Sequence, residues 1–212
     1  MAFPMTGVLD NFTRSNSTTT LGANWTLDSN INDITGILSN QAYEPNPNNN
    51  SSLVYWNTKY NGQIEAYFTL PVLTGVGASN TFISAWTDQS SLNGYSVAVN
   101  ATSAALLIHK WTAGSPALQS TFVQAFSAGD SAGIRITTAG VISAWYQSGS
   151  GSYTSLGTFS DSAFICHYIG MLLQDQTVRI GKFGGGSSFA FRKTFSGIGS
   201  ATGKRQVMGW SQ

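Results

Sequence analysis

Short runs in which apolar and polar residues alternate recur along this chain, each closed off by Gly, Asn, Ser or Pro. In the first, Ile64, Ala66, Phe68 and Leu70 alternate with Gln63, Glu65, Tyr67 and Thr69. Further runs occupy residues 81–88, 94–100, 105–111, 119–126, 132–137, 140–147, 167–173 and 178–183. Successive side chains of a strand point to opposite faces, so a period of two marks a strand with one buried face. Many such strands in series predict a sandwich or a barrel. No segment carries a sustained apolar stripe at the helical period.

Charge points the same way. Only 9% of the 212 residues are Asp, Glu, Lys or Arg, against about 25% in an average soluble domain. Helices commonly place Glu and Lys on their wet face. A surface wetted by Ser, Thr, Asn, Gln and Gly suits strands and turns. It also suits a surface covered by partners. With 42% apolar residues the chain has enough to bury a core. Its length fits one sandwich domain, since such folds run to about 200–250 residues.

The loops are legible as turn-forming clusters. Residues 46–52 read as a polar surface loop and 148–152 as a hairpin tip. The run Gly184-Gly185-Gly186-Ser187-Ser188 is predicted to end the regular pattern. Residues 1–192 are expected to form the domain. Residues 193–212, Gly-rich with scattered large apolar groups, are expected to form an extension or arm.

Several function classes are disfavoured. A net charge of +1 supplies no basic patch for nucleic acid. No apolar run approaches the ~20 residues that span a bilayer. The first ten residues lack the cationic start of a secretion signal. Cys166 is the only cysteine, so the chain can hold no internal disulfide. Its neighbour His167 would point to the opposite face of a strand, so a thiolate–imidazole couple is not expected. His109 and His167 do not make a zinc set, and no cofactor is expected.

The chain has two glutamates, Glu44 and Glu65, neither with an acid within four residues. Glycoside hydrolysis usually needs two carboxyls about 5–9.5 Å apart. Only a pair assembled across strands, such as Glu65 with Asp88, could supply them. A non-enzyme is therefore expected.

The opening Val8-Leu9-Asp10-Asn11-Phe12-Thr13-Arg14, followed by Leu21-Gly22-Ala23-Asn24-Trp25, resembles the start of concanavalin A-like, laminin-G-like jelly rolls. The same resemblance continues in Gly129-Asp130-Ser131-Ala132-Gly133-Ile134-Arg135-Ile136 and in Gly140-Val141-Ile142-Ser143-Ala144-Trp145-Tyr146. Val178-Arg179-Ile180-Gly181-Lys182-Phe183-Gly184-Gly185 resembles the closing strand. Such domains are frequent in bacteriophage tail, fibre and decoration proteins and in sugar-active modules. The resemblance implies an antiparallel two-sheet jelly-roll sandwich, with first and last strands paired. It implies a virion structural protein, made in the host cytoplasm, partnered by other virion proteins and by copies of itself. Its alternative is a carbohydrate-binding module and, behind that, a glycan hydrolase or lyase. Some relatives place acids before the closing Phe to bind calcium; Gly181 and Lys182 stand there in this chain.

Aromatic residues give candidate contacts. Glu65 and Tyr67 are expected on one strand face, Trp86 and Asp88 on another, and His109 and Trp111 on a third. Brought together on the concave sheet, they would make a polar–aromatic patch for a cell-surface glycan. The plainer reading places Trp86 and Trp111 in the core or at a subunit interface. For assembly, Lys204, Arg205, Met208 and Trp210 of the extension are the candidates.

Overall fold

The computed structural model describes residues 2–31, 33–46, 51–74, 81–174 and 177–188. The described residues form an antiparallel β-sandwich and contain no helix. One sheet has six strands, in the order β1 (Val8–Asp10), β17 (Lys182–Ser187), β6 (Ile64–Thr69), β12 (Ser131–Ile136), β13 (Val141–Gln147) and β14 (Thr154–Ser160). The other has seven: β11 (Ser115–Val123), β10 (Ala105–Thr112), β9 (Gly94–Asn100), β8 (Thr81–Trp86), β15 (Tyr168–Leu173), β5 (Ser52–Trp56) and β2 (Trp25–Leu27). Two short pairs complete it: β3 (Gly36–Leu38) with β4 (Gln41–Tyr43), and β7 (Val72–Leu73) with β16 (Val178–Arg179). First and last strands pair as expected, Val8 opposite Gly184.

The alternation explains the core. Ile64, Ala66 and Phe68 of β6 and Ile134 and Ile136 of β12 turn inward from one sheet. Ile83 and Ala85 of β8, Val97 and Val99 of β9, and Leu106 and Ile108 of β10 turn inward from the other. The opening motif works as a clasp at the edge of this core. Asp10 accepts hydrogen bonds from Trp25 Nε1 (2.7 Å), Phe12 N (2.7 Å) and Arg14 Nη2 (2.5 Å). That arrangement holds the Trp25 ring against Trp56 and Phe183, at centroid distances of 5.3 and 4.9 Å.

One segment departs from the sequence reading. Gly184-Gly185-Gly186 does not end the pattern; β17 runs through it, between β1 and β6. Glycine is required there by close approach. A Cβ on Gly185, whose φ is +155°, would lie 2.5 Å from the Glu65 carbonyl oxygen and 2.6 Å from Ile169 Cδ1. Of the loop expected at 46–52, residues 47–50 lie outside the described residues, and Ser52 already belongs to β5.

Candidate functional site

Each sheet has an outer face, and the two are built differently. Outward from the six-stranded sheet point Glu65 and Tyr67, but they meet the chain's own N-terminal segment. Glu65 Oε1 accepts from Met5 N, from Thr6 N (2.7 Å) and from Thr6 Oγ1 (2.9 Å). Its Oε2 pairs with Arg135 Nη2 at 2.6 Å. Arg135 also reaches the Ala2 carbonyl at 2.6 Å and lies over the rings of Phe3 and Trp145. Tyr67 donates its hydroxyl to the Thr6 carbonyl at 3.2 Å. Residues 2–6 are thus strapped across this sheet, and Glu65 is 1% exposed.

Outward from the seven-stranded sheet lies a second apolar layer, separate from the core between the sheets. It contains Leu53 and Tyr55 of β5, Phe82 and Trp86 of β8, Ala98 of β9, Trp111 of β10 and Leu172 of β15. Glycine and small residues of neighbouring strands make room for the rings: Gly94 sits in register between Trp86 and Trp111. Each indole donates to a serine on its own face, Trp86 Nε1 to Ser84 Oγ (2.7 Å) and Trp111 Nε1 to Ser96 Oγ (2.8 Å). His109 packs edge-on to Phe82, centroids 5.6 Å apart. Burial pulls its imidazole below the ordinary range.

A loop closes over part of this layer. Asp28 accepts from Asn30 N (2.7 Å) and Ile31 N (3.2 Å), which folds the turn after β2. Its other oxygen accepts from the Tyr55 hydroxyl at 2.5 Å, which pins the turn to the sheet. Burial, then the Asp28 hydrogen bond, raise the Tyr55 phenol far above its usual range, so it stays a donor. Between this turn and the β10–β11 hairpin lies a cleft of about 480 Å³. Trp111 and Leu172 line it below, with Asn30, Ile31, Asp33 and Ser51 along the side. Asp33 is 6% exposed. Its Oδ1 accepts from Asn46 Nδ2 at 2.7 Å, while its Oδ2 is buried without a hydrogen-bond partner among the described residues.

The six glycan candidates therefore do not form one patch. Glu65 and Tyr67 lie on the far sheet beneath the strap. Trp86, His109 and Trp111 share the outer face of the seven-stranded sheet, and of these only Trp111 lines the cleft. Trp86 is wholly buried, in agreement with the plainer reading. Asp88 lies past the end of β8, in a turn. Although burial opposes it, hydrogen bonds from Ser91 and Ser90 hold its carboxyl well below the usual range. A carboxylate pair of Glu65 with Asp88 is excluded, since the sandwich separates them. Asn30, Asp33 and Ser51 were missed. Their only sequence signal is an Asn- and Asp-rich turn in a chain full of Asn. Lys204, Arg205, Met208 and Trp210 lie outside the described residues, as does the boundary expected at 192.

Cys166 is buried and donates to the Ala85 carbonyl at 3.3 Å; burial pushes its thiol up to about 12. Among the described residues no three His, Cys, Asp or Glu side chains gather as a metal site. No described helix is long and apolar enough to cross a membrane.

Two sheets of six and seven antiparallel strands, with first and last strands adjacent, define the concanavalin A-like jelly roll found in lectin domains. The structure is similar to carbohydrate-binding module CBM66 from Bacillus subtilis, with a TM-score of 0.62 and 13% identity over 78% of this chain and 96% of that one. It is similar to the VIP36 exoplasmic/lumenal domain, solved with Ca²⁺ and Man2 (TM-score 0.63, 8% identity, 86% of this chain and 87% of that one). The Emp47p carbohydrate recognition domain matches at a TM-score of 0.59 and 10% identity, over 86% of this chain and 95% of that one. At such identities the likeness establishes the fold alone. No family model and no curated protein matches the sequence.

Proposed function

We propose that this protein is a non-catalytic carbohydrate-binding module whose sugar sits in the cleft above Trp111 and Leu172. The observation that carries this reading is Asp33. A buried acceptor without a partner costs about 1–3 kcal/mol, and Asp33 Oδ2 is such an acceptor at the cleft wall. A sugar hydroxyl would satisfy it if the cleft wall yields to admit one, since the oxygen is closed to solvent as it stands. The Asn30 amide donates to the Ser90 carbonyl at 3.4 Å, which leaves its oxygen free to accept from a second hydroxyl. Trp111, 6% exposed, adds an apolar floor rather than a full stacking platform. The neighbours in structure support the reading, since those named above are carbohydrate-binding or carbohydrate-recognition domains.

The test is a glycan array probed with the full chain, followed by calorimetry on the best sugar. Binding that falls at least tenfold in both Asp33→Ala and Asn30→Ala, with unchanged melting, supports the cleft. Silence across the array, or binding indifferent to both substitutions, sinks it. A place on a bacteriophage particle, made in the host cytoplasm and built with other virion proteins, is a further proposal. It rests on the sequence resemblance, and co-purification with particles from the flanking genes would test it.

A further inference from the structure

The two sheets do not close on each other at one end of the sandwich. There, a pocket of about 350 Å³ opens between Ile64 at the start of β6, Ile136 at the end of β12, and the segment that leads into β15. Phe164, Ile165 and Cys166 of that segment complete its wall. Ile64 is 1% exposed and Cys166 3%, whereas Ile165, in the same wall, is 73% exposed. A mainly apolar cavity, with Asn61, Thr137, Thr138 and Ser162 also in its lining, is thus joined to an apolar residue left in water.

Three features define what fits. The first is size. An apolar cavity of about 150 Å³ stays dry and holds benzene, and ligand pockets start at about 300 Å³. This pocket therefore takes about two fused rings. The second is charge. No Asp, Glu, Lys or Arg lines it, so an ionised ligand would lose its water without gaining a partner. The third is His167 at the rim. Its Nδ1 lies 2.9 Å from the Tyr60 carbonyl, which can only accept. Nδ1 therefore carries a hydrogen, and in the neutral imidazole Nε2 is left as an acceptor.

We propose that this pocket binds an uncharged two-ring aromatic molecule bearing one hydroxyl or amine, ring inward and donor toward His167. Binding is non-covalent, because the buried Cys166 thiol is held protonated. The site is independent of the sugar cleft and shares no lining residue with it.

The full chain is titrated with 2-naphthol, which is neutral at pH 7 and fluorescent. The expected result is saturable one-to-one binding. Naphthalene, without a donor, binds up to about tenfold more weakly, and 2-naphthalenesulfonate does not bind. Ile165→Asp lies on an exposed position and leaves the fold intact; it and the cavity-filling Ile136→Trp should each weaken binding at least tenfold. In His167→Phe, naphthol and naphthalene become equal. Absence of saturable naphthol binding overturns the proposal, as does equal binding by wild type and Ile165→Asp.

Discussion

Arg135 carries more of the fold than any other cation among the described residues. It is buried, bonded to Glu65 and to the Ala2 carbonyl, and lies against the rings of Phe3 and Trp145. Removing one member of a buried pair leaves the other uncompensated, at a cost of about 3–5 kcal/mol. Arg135→Met should therefore lower stability by about that much in urea unfolding, and should release residues 2–6 to protease. A second residue sets an acid limit. The Asp88 carboxyl is depressed in the folded state, mainly by Ser91 and Ser90, with burial opposing. A depressed acid contributes stability fully above its unfolded pKa of about 4. That contribution fades as pH falls through and below this value. Asp88→Asn should flatten the loss of stability between about pH 4 and 2, measured by melts across that range. At this scale the sequence was half legible. The opening motif around Asp10 was visible as a pattern. The ties from Asp10 to Trp25, and from Glu65 to residues 5 and 6, join positions far apart in the chain, and no local pattern encodes them.

Strands were legible where large apolar residues alternate with polar or small ones along the chain. β6, β8, β9, β10, β12, β13 and β15 all fall on alternating runs. β14 was missed, since Thr154–Ser160 is an edge strand exposed along much of its length, and an edge on one side of a sandwich needs no apolar period. β5 was missed because Leu53, Val54, Tyr55 and Trp56 are four large side chains in a row, so nothing alternates. Only residues 184–187 of β17 were read as a loop from the local pattern, because glycine ordinarily weakens strands. Its glycines answer to Tyr67 and Glu65 on the neighbouring strand. Gly185→Ala should cost about 1–3 kcal/mol, as overpacking does, because backbone lies on one side of the new methyl and Ile169 on another. A melting curve unchanged by this substitution would show that β17 can shift away from β6.

Across the whole molecule, alternation and scarce charge together made a sandwich or barrel legible, and the resemblance of the opening and closing motifs implied the jelly roll. The candidate site was not, because two apolar layers flank the seven-stranded sheet. Trp86 and Trp111 turn away from the core between the sheets and are still covered. A sequence shows that alternate residues share a face; it does not show what lies above that face. The turn anchored by Asp28 and Tyr55 decides it, and that contact spans 27 residues of chain.

The adjacency of β1 and β17 has a mechanical consequence. The strands are antiparallel, with Val8 opposite Gly184, so the start of β1 and the end of β17 lie at the same end of that pair. Hydrogen bonds between antiparallel strands lie perpendicular to them. Tension applied between handles at Gly7 and Ser188 therefore loads these bonds one after another, as in a zipper, instead of all at once in shear. An optical trap should open this edge at low force, before the sandwich yields. Handles placed at Gly149 and Ser188 pull on strands that are not neighbours, and the first rupture should then come at distinctly higher force.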